Sequence, residues 1–187
     1  MATAWRIPNP EELPAVRAFD EAVDQFLESI RNPILDRGMY TLSSAADHSL
    51  LWFGIGGLRA LRRGDLKFAA KFCITMGVES GLTNGVIKSA FRRVRPEPET
   101  AEGPLPYGMR RPITSSFPSG HATAAFTAAS VLAHTGHGDV FWFTIATVVA
   151  GSRVYVRMHH ASDVIAGALV GIALGRVARH WFDPPGR

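Results

Sequence analysis

The chain has 187 residues, of which 47% are hydrophobic and 19% are charged; this fits one folded domain and excludes a disordered protein. Its one cysteine excludes an internal disulfide and any metal site built from several cysteines. The net charge of +4 comes from arginine clusters beside apolar segments, which favours membrane flanks or an anion site and argues against nucleic-acid binding.

Residues 11–31 predict an amphipathic helix. Apolar side chains between Val16 and Ile30 recur at helical spacing, and charged side chains, Asp20 among them, take the other face. Those charges forbid a membrane span, so we expect the helix to lie at the membrane interface or against the domain, although an ordinary surface helix fits the pattern equally well. No basic segment followed by an apolar core precedes it, so we expect no cleavable signal peptide.

Five apolar helices are predicted in the rest of the chain. They cover Gly38–Leu58, Phe68–Phe91, Ser119–His134, Val140–Val156 and Ala161–Val177. None is an unbroken apolar stretch of about twenty residues. Since no segment alternates like a strand, the fold is predicted to be all-α. We expect a membrane-embedded bundle of about five core helices with a polar interior, and prefer this to a soluble bundle. The last helix spaces Gly167, Gly171 and Gly175 one turn apart, which allows another helix to approach closely.

A long proline-rich connection separates the second and third of these helices. It runs from Arg92 to Pro118 and contains six prolines, so we expect a loop. A loop this long inside a compact bundle is usually functional. We therefore expect three regions: residues 1–37 as an N-terminal helical extension, 38–180 as the bundle and 181–187 as a tail.

Three polar stretches should meet at one end of the bundle. They are Lys88–Pro96, Pro118–His121 and Ser152–Asp163. When chain direction alternates, the second helix ends, the third begins, the fourth ends and the fifth begins at the same surface. The convergence of the three stretches follows from this alternation alone.

The converging stretches carry the groups of an anion site. Lys88, Arg95 and Arg153 would repel one another unless a strong anion lay between them, and arginine suits phosphate oxygens. Ser119 can donate a hydroxyl hydrogen bond, and Gly120 lets its backbone N–H approach an oxygen at a helix start. Together these residues predict a phosphate-binding pocket.

Two histidines give this pocket its reactivity. His159 can attack phosphorus as a neutral imidazole, while Asp163, one helical turn later, holds its other nitrogen. His121 can then protonate the leaving oxygen. His160 is also within helical reach of Asp163, so spacing alone does not separate the two neighbouring histidines. The remaining histidines show no metal-ligand spacing, and we expect neither a metal nor another cofactor.

The three stretches read K-x6-RP, PSGH and SR-x5-H-x3-D, with every fixed position present. On these motifs the chain resembles the type 2 phosphatidic acid phosphatase superfamily over roughly residues 38–180. The resemblance implies metal-independent removal of phosphate from a lipid, with His159 as nucleophile, Asp163 as its partner and His121 as acid. It implies a set of phosphate ligands consisting of Lys88, Arg95, Ser119, Gly120 and Arg153. Directly after the nucleophile, His160 and Ala161 replace the aromatic residue and proline of many members, at positions that vary.

The lipid itself is not identified by any residue. The family acts on phosphatidic acid, phosphatidylglycerophosphate, prenyl diphosphates and related lipids. The runs DHSLLW and TSSFPSGHA are similar to those of actinobacterial members, for which the substrate can be a polyprenyl-linked phosphate such as decaprenylphosphoryl-5-phosphoribose. No residue specifies ribose, glycerol or pyrophosphate, and a homo-oligomer stays open.

The apolar helices predict a multi-pass protein of the cell membrane, and the basic residues predict that its site faces outward. The basic residues opposite the site are Arg59, Arg62, Arg63, Lys67, Arg176, Arg179 and Arg187. The positive-inside rule places that end in the cytoplasm. Against this assignment, the site end also carries basic residues, namely Arg92, Arg93, Arg110 and Arg111.

Two other interpretations stay open at this point. Vanadium haloperoxidases share the same constellation with vanadate in place of phosphate, although the short chain and apolar helices count against a soluble or peripheral enzyme of that kind. A non-catalytic membrane protein that only binds lipid would not need the acid, the nucleophile and the orienting carboxylate, all of which are intact.

Overall fold

The computed structural model describes residues 9–97, 112–136 and 138–183. Every regular element within them is helical, which confirms the predicted all-α fold. The seven longer helices of these residues are α1 (Pro14–Ser29), α2 (Pro33–Ala45), α3 (Leu50–Arg63), α4 (Leu66–Ser80), α5 (Gly120–His134), α6 (Asp139–Tyr155) and α7 (Ala161–Phe182). Part of the predicted loop, residues 98–111, and the end of the predicted tail, residues 184–187, lie outside the described residues.

The prediction of a single helix over Gly38–Leu58 is wrong, because two helices occupy this stretch. Asn32 begins α2 by accepting two backbone hydrogen bonds with its side-chain oxygen. A 3-10 turn at Asp47–Ser49 separates α2 from α3, and Ser49 has a left-handed backbone with a φ of 59°. The turn contacts α5. There the carboxylate of Asp47 finds polar partners that an apolar helix face would not offer.

The second predicted helix, Phe68–Phe91, is present but irregular. Asp65 caps the start of α4 by accepting a hydrogen bond from the N–H of Phe68 at 2.9 Å. After α4 the chain continues as a π-helical segment, Gly81–Ile87, and a 3-10 turn, Lys88–Ala90. Such π segments often occur at functional sites. This one leads directly into the first polar stretch.

Helix α5 lies at the centre of the bundle and packs against α3, α4, α6 and α7. From Ala122 to Ala133, every residue except Phe126 is buried. These residues are mostly alanine, serine and threonine, so the helix is thin enough for neighbours to approach from several sides. Larger apolar side chains of the surrounding helices, such as Trp52 and Phe72, fill the core around it.

The glycines of α7 face α5, in agreement with their predicted packing role. A Cβ on Gly167 would lie 2.5 Å from the backbone oxygen of Ser119, and a Cβ on Gly171 would lie 2.5 Å from that of Thr123. Gly175 is blocked in the same way by a residue of α5. Because the obstacles at the first two positions are backbone atoms, no rotamer change can relieve the overlap. The two helices can therefore pack this closely only with glycine at these positions.

Helix α7 has the properties of a membrane-crossing helix. Among the described residues it is the one helix long and apolar enough to cross a bilayer, with 22 residues and a mean hydropathy of 1.6. Only 28% of that apolar stretch is buried in the bundle, so side chains such as Leu169 and Val177 face outward. The helices α3 to α6 have between 14 and 17 residues. The multi-pass arrangement therefore stays a prediction.

Replacing Gly171 with alanine should destabilise the bundle by about 2 kcal/mol, because the added methyl group overpacks the contact between α5 and α7. The expected measurement is a lower unfolding midpoint of the purified protein in detergent. Gly151→Ala on α6 is the matched control, since its Cβ would meet no atom of the described residues within 4 Å. Alanine is the better helix former, so the control should be as stable as the unchanged protein or more stable. Equal losses in both variants would contradict close packing at Gly171.

Candidate active site

A cavity of about 1050 Å³ opens at the end of the bundle where α5 begins. Six of the eight residues predicted for the site line it, namely Lys88, Arg95, Gly120, His121, Arg153 and His159. The other two, Ser119 and Asp163, are fully buried and do not line it. The backbone N–H of Ser119 donates a hydrogen bond of 3.0 Å to the carbonyl of Asp163 and so ties the beginning of α5 to that of α7. The three predicted stretches therefore meet at one end.

His159, in the loop between α6 and α7, is fixed from both sides of its ring. Its Nδ1 donates a hydrogen bond of 2.8 Å to the carbonyl of Ser116, which leaves Nε2 as the acceptor facing Arg95 Nη1 at 3.2 Å. Burial lowers the pKa of His159 to about 3; the nearby charge of Arg95 acts in the same direction and Asp163 opposes it. The imidazole is therefore neutral, with a lone pair on Nε2 beside the cavity.

Asp163 lies close to His159 but does not hold its ring in the predicted way. Its Oδ2 is 3.6 Å from His159 Nδ1, and the carbonyl of Ser116 is nearer to that nitrogen. The carboxylate instead accepts hydrogen bonds from Arg93 Nη1 at 2.6 Å and from the backbone N–H of His160 at 2.9 Å. Asp163 thus places negative charge beside the ring, while Ser116 determines which ring nitrogen carries the proton.

Asp163 belongs to a buried ion cluster that extends to the N-terminal helix. Arg93 is only 3% exposed and binds Asp20 of α1 at 2.6 Å through Nη2, in addition to Asp163. Asp20 also accepts hydrogen bonds from the backbone N–H and the hydroxyl of Ser162, at 2.8 and 2.7 Å. Asp20, which was predicted on the charged face of α1, is therefore only 4% exposed, because it covers the buried Arg93. Helix α1 packs against α6 and α7, which is one of the two arrangements predicted for it, the other being at the membrane interface.

The three cations of the cavity are held in different ways. Arg95 donates to backbone carbonyls of neighbouring loop residues at distances from 2.7 to 3.4 Å. Arg153 donates to the hydroxyl of Ser43 at 2.6 Å and to Asp47 Oδ1 at 3.2 Å. Lys88 is buried and lines the cavity, and its ammonium group makes no hydrogen bond or ion pair with another residue in the described part of the chain. Its ammonium group is thus available to an anion that enters.

The start of α5 presents backbone rather than side chain to the cavity. Ser119 Oγ accepts a hydrogen bond of 3.4 Å from the N–H of Ala122, so the hydroxyl caps the helix. Gly120 lines the cavity, where a Cβ would lie 2.9 Å from Asn84 Oδ1. The unpaired N–H groups at a helix start attract an anion to this position.

His121 contacts a carboxylate that was not among the predicted site residues. Its Nε2 lies 2.9 Å from Asp47 Oδ1, the same oxygen that Arg153 Nη1 approaches to 3.2 Å. Asp47 lies on the turn between α2 and α3, so the helix break described above places it at the cavity. The one indication in the sequence is an acidic residue within an apolar segment, which is costly unless it has a function or a partner.

The positive charge of the cavity comes from basic side chains. Across residues 9–97, 112–136 and 138–183, no group of three or more histidine, cysteine, aspartate or glutamate side chains is arranged to hold a metal ion. In this part of the chain, Lys88, Arg95 and Arg153 are the groups that can balance the charge of a bound anion.

Comparisons with known proteins show the family of this chain. The family model of the PAP2 superfamily matches residues 68–187. Lipid A 1-phosphatase of Porphyromonas gingivalis is 30% identical over 130 residues, which make up 65% of this chain but only 26% of that protein. Decaprenylphosphoryl-5-phosphoribose phosphatase of Mycobacterium tuberculosis is 26% identical over 157 residues, covering 80% of this chain and 84% of that protein.

A solved structure extends the likeness to the whole bundle. The transmembrane PAP2 type phosphatidylglycerolphosphate phosphatase from Bacillus subtilis superposes with a TM-score of 0.74 at 26% identity. The match covers 95% of this chain and 92% of that one. Together with the outward-facing apolar side chains of α7, this likeness indicates a membrane protein.

Replacing Asp20 with alanine should cost about 3 kcal/mol of stability, because it leaves Arg93 buried with less compensating charge. The unfolding midpoint in detergent measures this loss. Glu21→Ala is the matched control on the same helix, since the Glu21 side chain is 65% exposed and pairs with Arg17 at 3.9 Å. An exposed pair of this kind contributes little, so the control should change stability by less than about 1 kcal/mol. Equal effects would contradict the buried cluster.

Proposed function

The chain belongs to the PAP2 superfamily, and from that premise we propose that it is a lipid phosphatase working through a phosphohistidine intermediate. One observation carries the proposal: a neutral imidazole, His159, turns its Nε2 lone pair toward a cavity lined by three cations. A buried nucleophile facing clustered positive charge suits attack on a phosphate ester.

In the first step His159 Nε2 attacks phosphorus, and the bond from phosphorus to the lipid oxygen breaks as the new P–N bond forms. The ring becomes positively charged when Nε2 is phosphorylated, because Nδ1 keeps its proton, which it donates in the hydrogen bond to the Ser116 carbonyl. Asp163 stabilises that charge from 3.6 Å. His121 gives a proton to the departing lipid oxygen, which leaves as an alcohol.

In the second step water attacks the phosphorus and the P–N bond breaks. His121, now unprotonated, accepts a proton from the water, and the pair of electrons returns to His159 Nε2. Inorganic phosphate is released and both histidines regain their starting protonation. Lys88, Arg95 and Arg153 stabilise the charge on the phosphate oxygens through both steps, an electrostatic contribution that is usually the largest in such reactions.

The substrate we propose is a phosphorylated membrane lipid. The cavity is much larger than a phosphate group, so a head group fits beside the cations. Phosphatidic acid, phosphatidylglycerophosphate and polyprenyl phosphates, including decaprenylphosphoryl-5-phosphoribose, are the candidates. A phosphate-release panel over these lipids in detergent tests the class, and release from none of them would reject it.

We further propose a multi-pass membrane protein with its site on the extracytoplasmic side. Basic side chains gather at the end of the bundle opposite the site, where Arg59 donates to the carbonyl of Thr135 after α5 and Lys71 donates to that of Trp181 in α7. An excess of basic residues favours the cytoplasmic side. Labelling a cysteine introduced beside the cavity with a membrane-impermeant reagent tests this orientation in intact cells.

Replacing His159 with alanine should lower phosphate release by at least about a thousandfold, because the nucleophile is lost. His160→Asn is the matched control, since His160 does not line the cavity and asparagine also caps a helix start well. The control should keep its activity within about threefold. The measurement is phosphate release from a detergent-solubilised lipid. Loss in the His160 variant with retention in the His159 variant would reverse the assignment of the nucleophile.

Phosphate release should continue in excess EDTA, because basic side chains supply the charge that metal ions provide in other phosphatases. Vanadate should inhibit release, since it adopts the five-coordinate geometry that phosphorus reaches during transfer. Loss of activity in EDTA, with recovery on adding a divalent cation, would contradict this mechanism.

A further inference from the structure

Asp47 occupies an unusual position between two groups of the proposed mechanism. One carboxylate oxygen lies 2.9 Å from His121 Nε2 and 3.2 Å from Arg153 Nη1. Its side chain is about one third exposed, at 33%, and lines the cavity, whereas Arg153 is almost fully buried. A carboxylate held by two partners at hydrogen-bond distance has a defined orientation, so it can also orient the more mobile of those partners.

The chemistry of His121 calls for such a partner. An imidazole acts as an acid only if it is protonated when the lipid oxygen departs, and a carboxylate on one nitrogen favours the protonated ring. Because a carboxylate accepts but does not donate, the nitrogen facing Asp47 is the one that keeps its proton. The other nitrogen, Nδ1, is then the one that passes a proton to the leaving oxygen and takes one back from water.

The geometry points to Asp47 as the positioning residue of the general acid, forming with His121 a carboxylate–imidazole pair that mirrors the charge of Asp163 beside His159. This inference rests on the proposed phosphatase function. Asp47 would hold the ring of His121 at the cavity and favour the protonated state that the first step requires. It acts through His121 and forms no bond to phosphorus.

The fold supports this role. The 3-10 turn Asp47–Ser49 interrupts the single helix predicted over Gly38–Leu58, and the left-handed backbone of Ser49 precedes the start of α3. Arg153, fixed from the other side by Ser43 at 2.6 Å, gives the Asp47 carboxylate a rigid second anchor. The turn therefore places the Asp47 carboxylate beside His121 at the start of α5.

Leaving-group dependence distinguishes a partner of the acid from a structural residue. An alkoxide departs slowly without a proton, whereas 4-nitrophenolate departs readily without one. Asp47→Asn should therefore lower kcat by about a hundredfold on a lipid phosphate, but by less than about threefold on 4-nitrophenyl phosphate, with little change in KM on either.

A double-mutant cycle on the lipid substrate gives an independent test. If Asp47 acts through His121, adding Asp47→Asn to a His121→Ala protein should lower the remaining activity by less than about threefold. Asp47→Glu, which keeps the carboxylate, should recover part of the activity lost in Asp47→Asn.

Several outcomes would overturn the inference. Equal losses on both substrates, or a full loss in the His121→Ala background, would assign Asp47 to Arg153 or to the fold. A lower KM with unchanged kcat in Asp47→Asn would show instead a carboxylate that competes with phosphate for Arg153. Failure of the unchanged protein to release phosphate from either substrate would reject the proposed function itself, which is a different result.

Discussion

Repulsion among buried positive charges is the constraint on which the rest of this structure depends. Lys88, Arg95 and Arg153 share one cavity, where charges out of water interact strongly. The fold tolerates them because loop carbonyls surround Arg95, and Ser43 and Asp47 hold Arg153. The same requirement explains the non-helical backbone at residues 112–115 and the helix break at Asp47–Ser49, since both bring oxygen acceptors to the end of the bundle.

Much of the site could be predicted because it depends on short spacings. The alternation of helices brings three motifs to one end, and the distance along the chain within each motif sets which side chains are near one another. The close contact of α7 with α5 could be predicted for a similar reason, since Gly167 and Gly171 recur every turn and leave room for backbone. Membership of the family agrees with these local patterns.

The groups that surround the proposed nucleophile and acid could not be predicted, because their partners are far apart in sequence. Asp20 and Arg93 are separated by 73 residues, and Asp47 and His121 by 74. A helical wheel assigns Asp20 to the polar face of α1, but it cannot show that this face covers an arginine. The Ser116 carbonyl gives no signal at all, since any residue has a backbone oxygen. The positions of Asp20 and Asp47 therefore depend on charge pairs between distant residues, which the periodicity of the sequence does not reveal.

The hydrogen bond from the Ser119 N–H to the Asp163 carbonyl, together with the glycines of α7, joins α5 and α7 along one seam. His121 follows Ser119 by two residues and His159 precedes Asp163 by four. Both imidazoles therefore lie beside the same contact between α5 and α7. The contact between α5 and α7 therefore sets the spacing between the two rings.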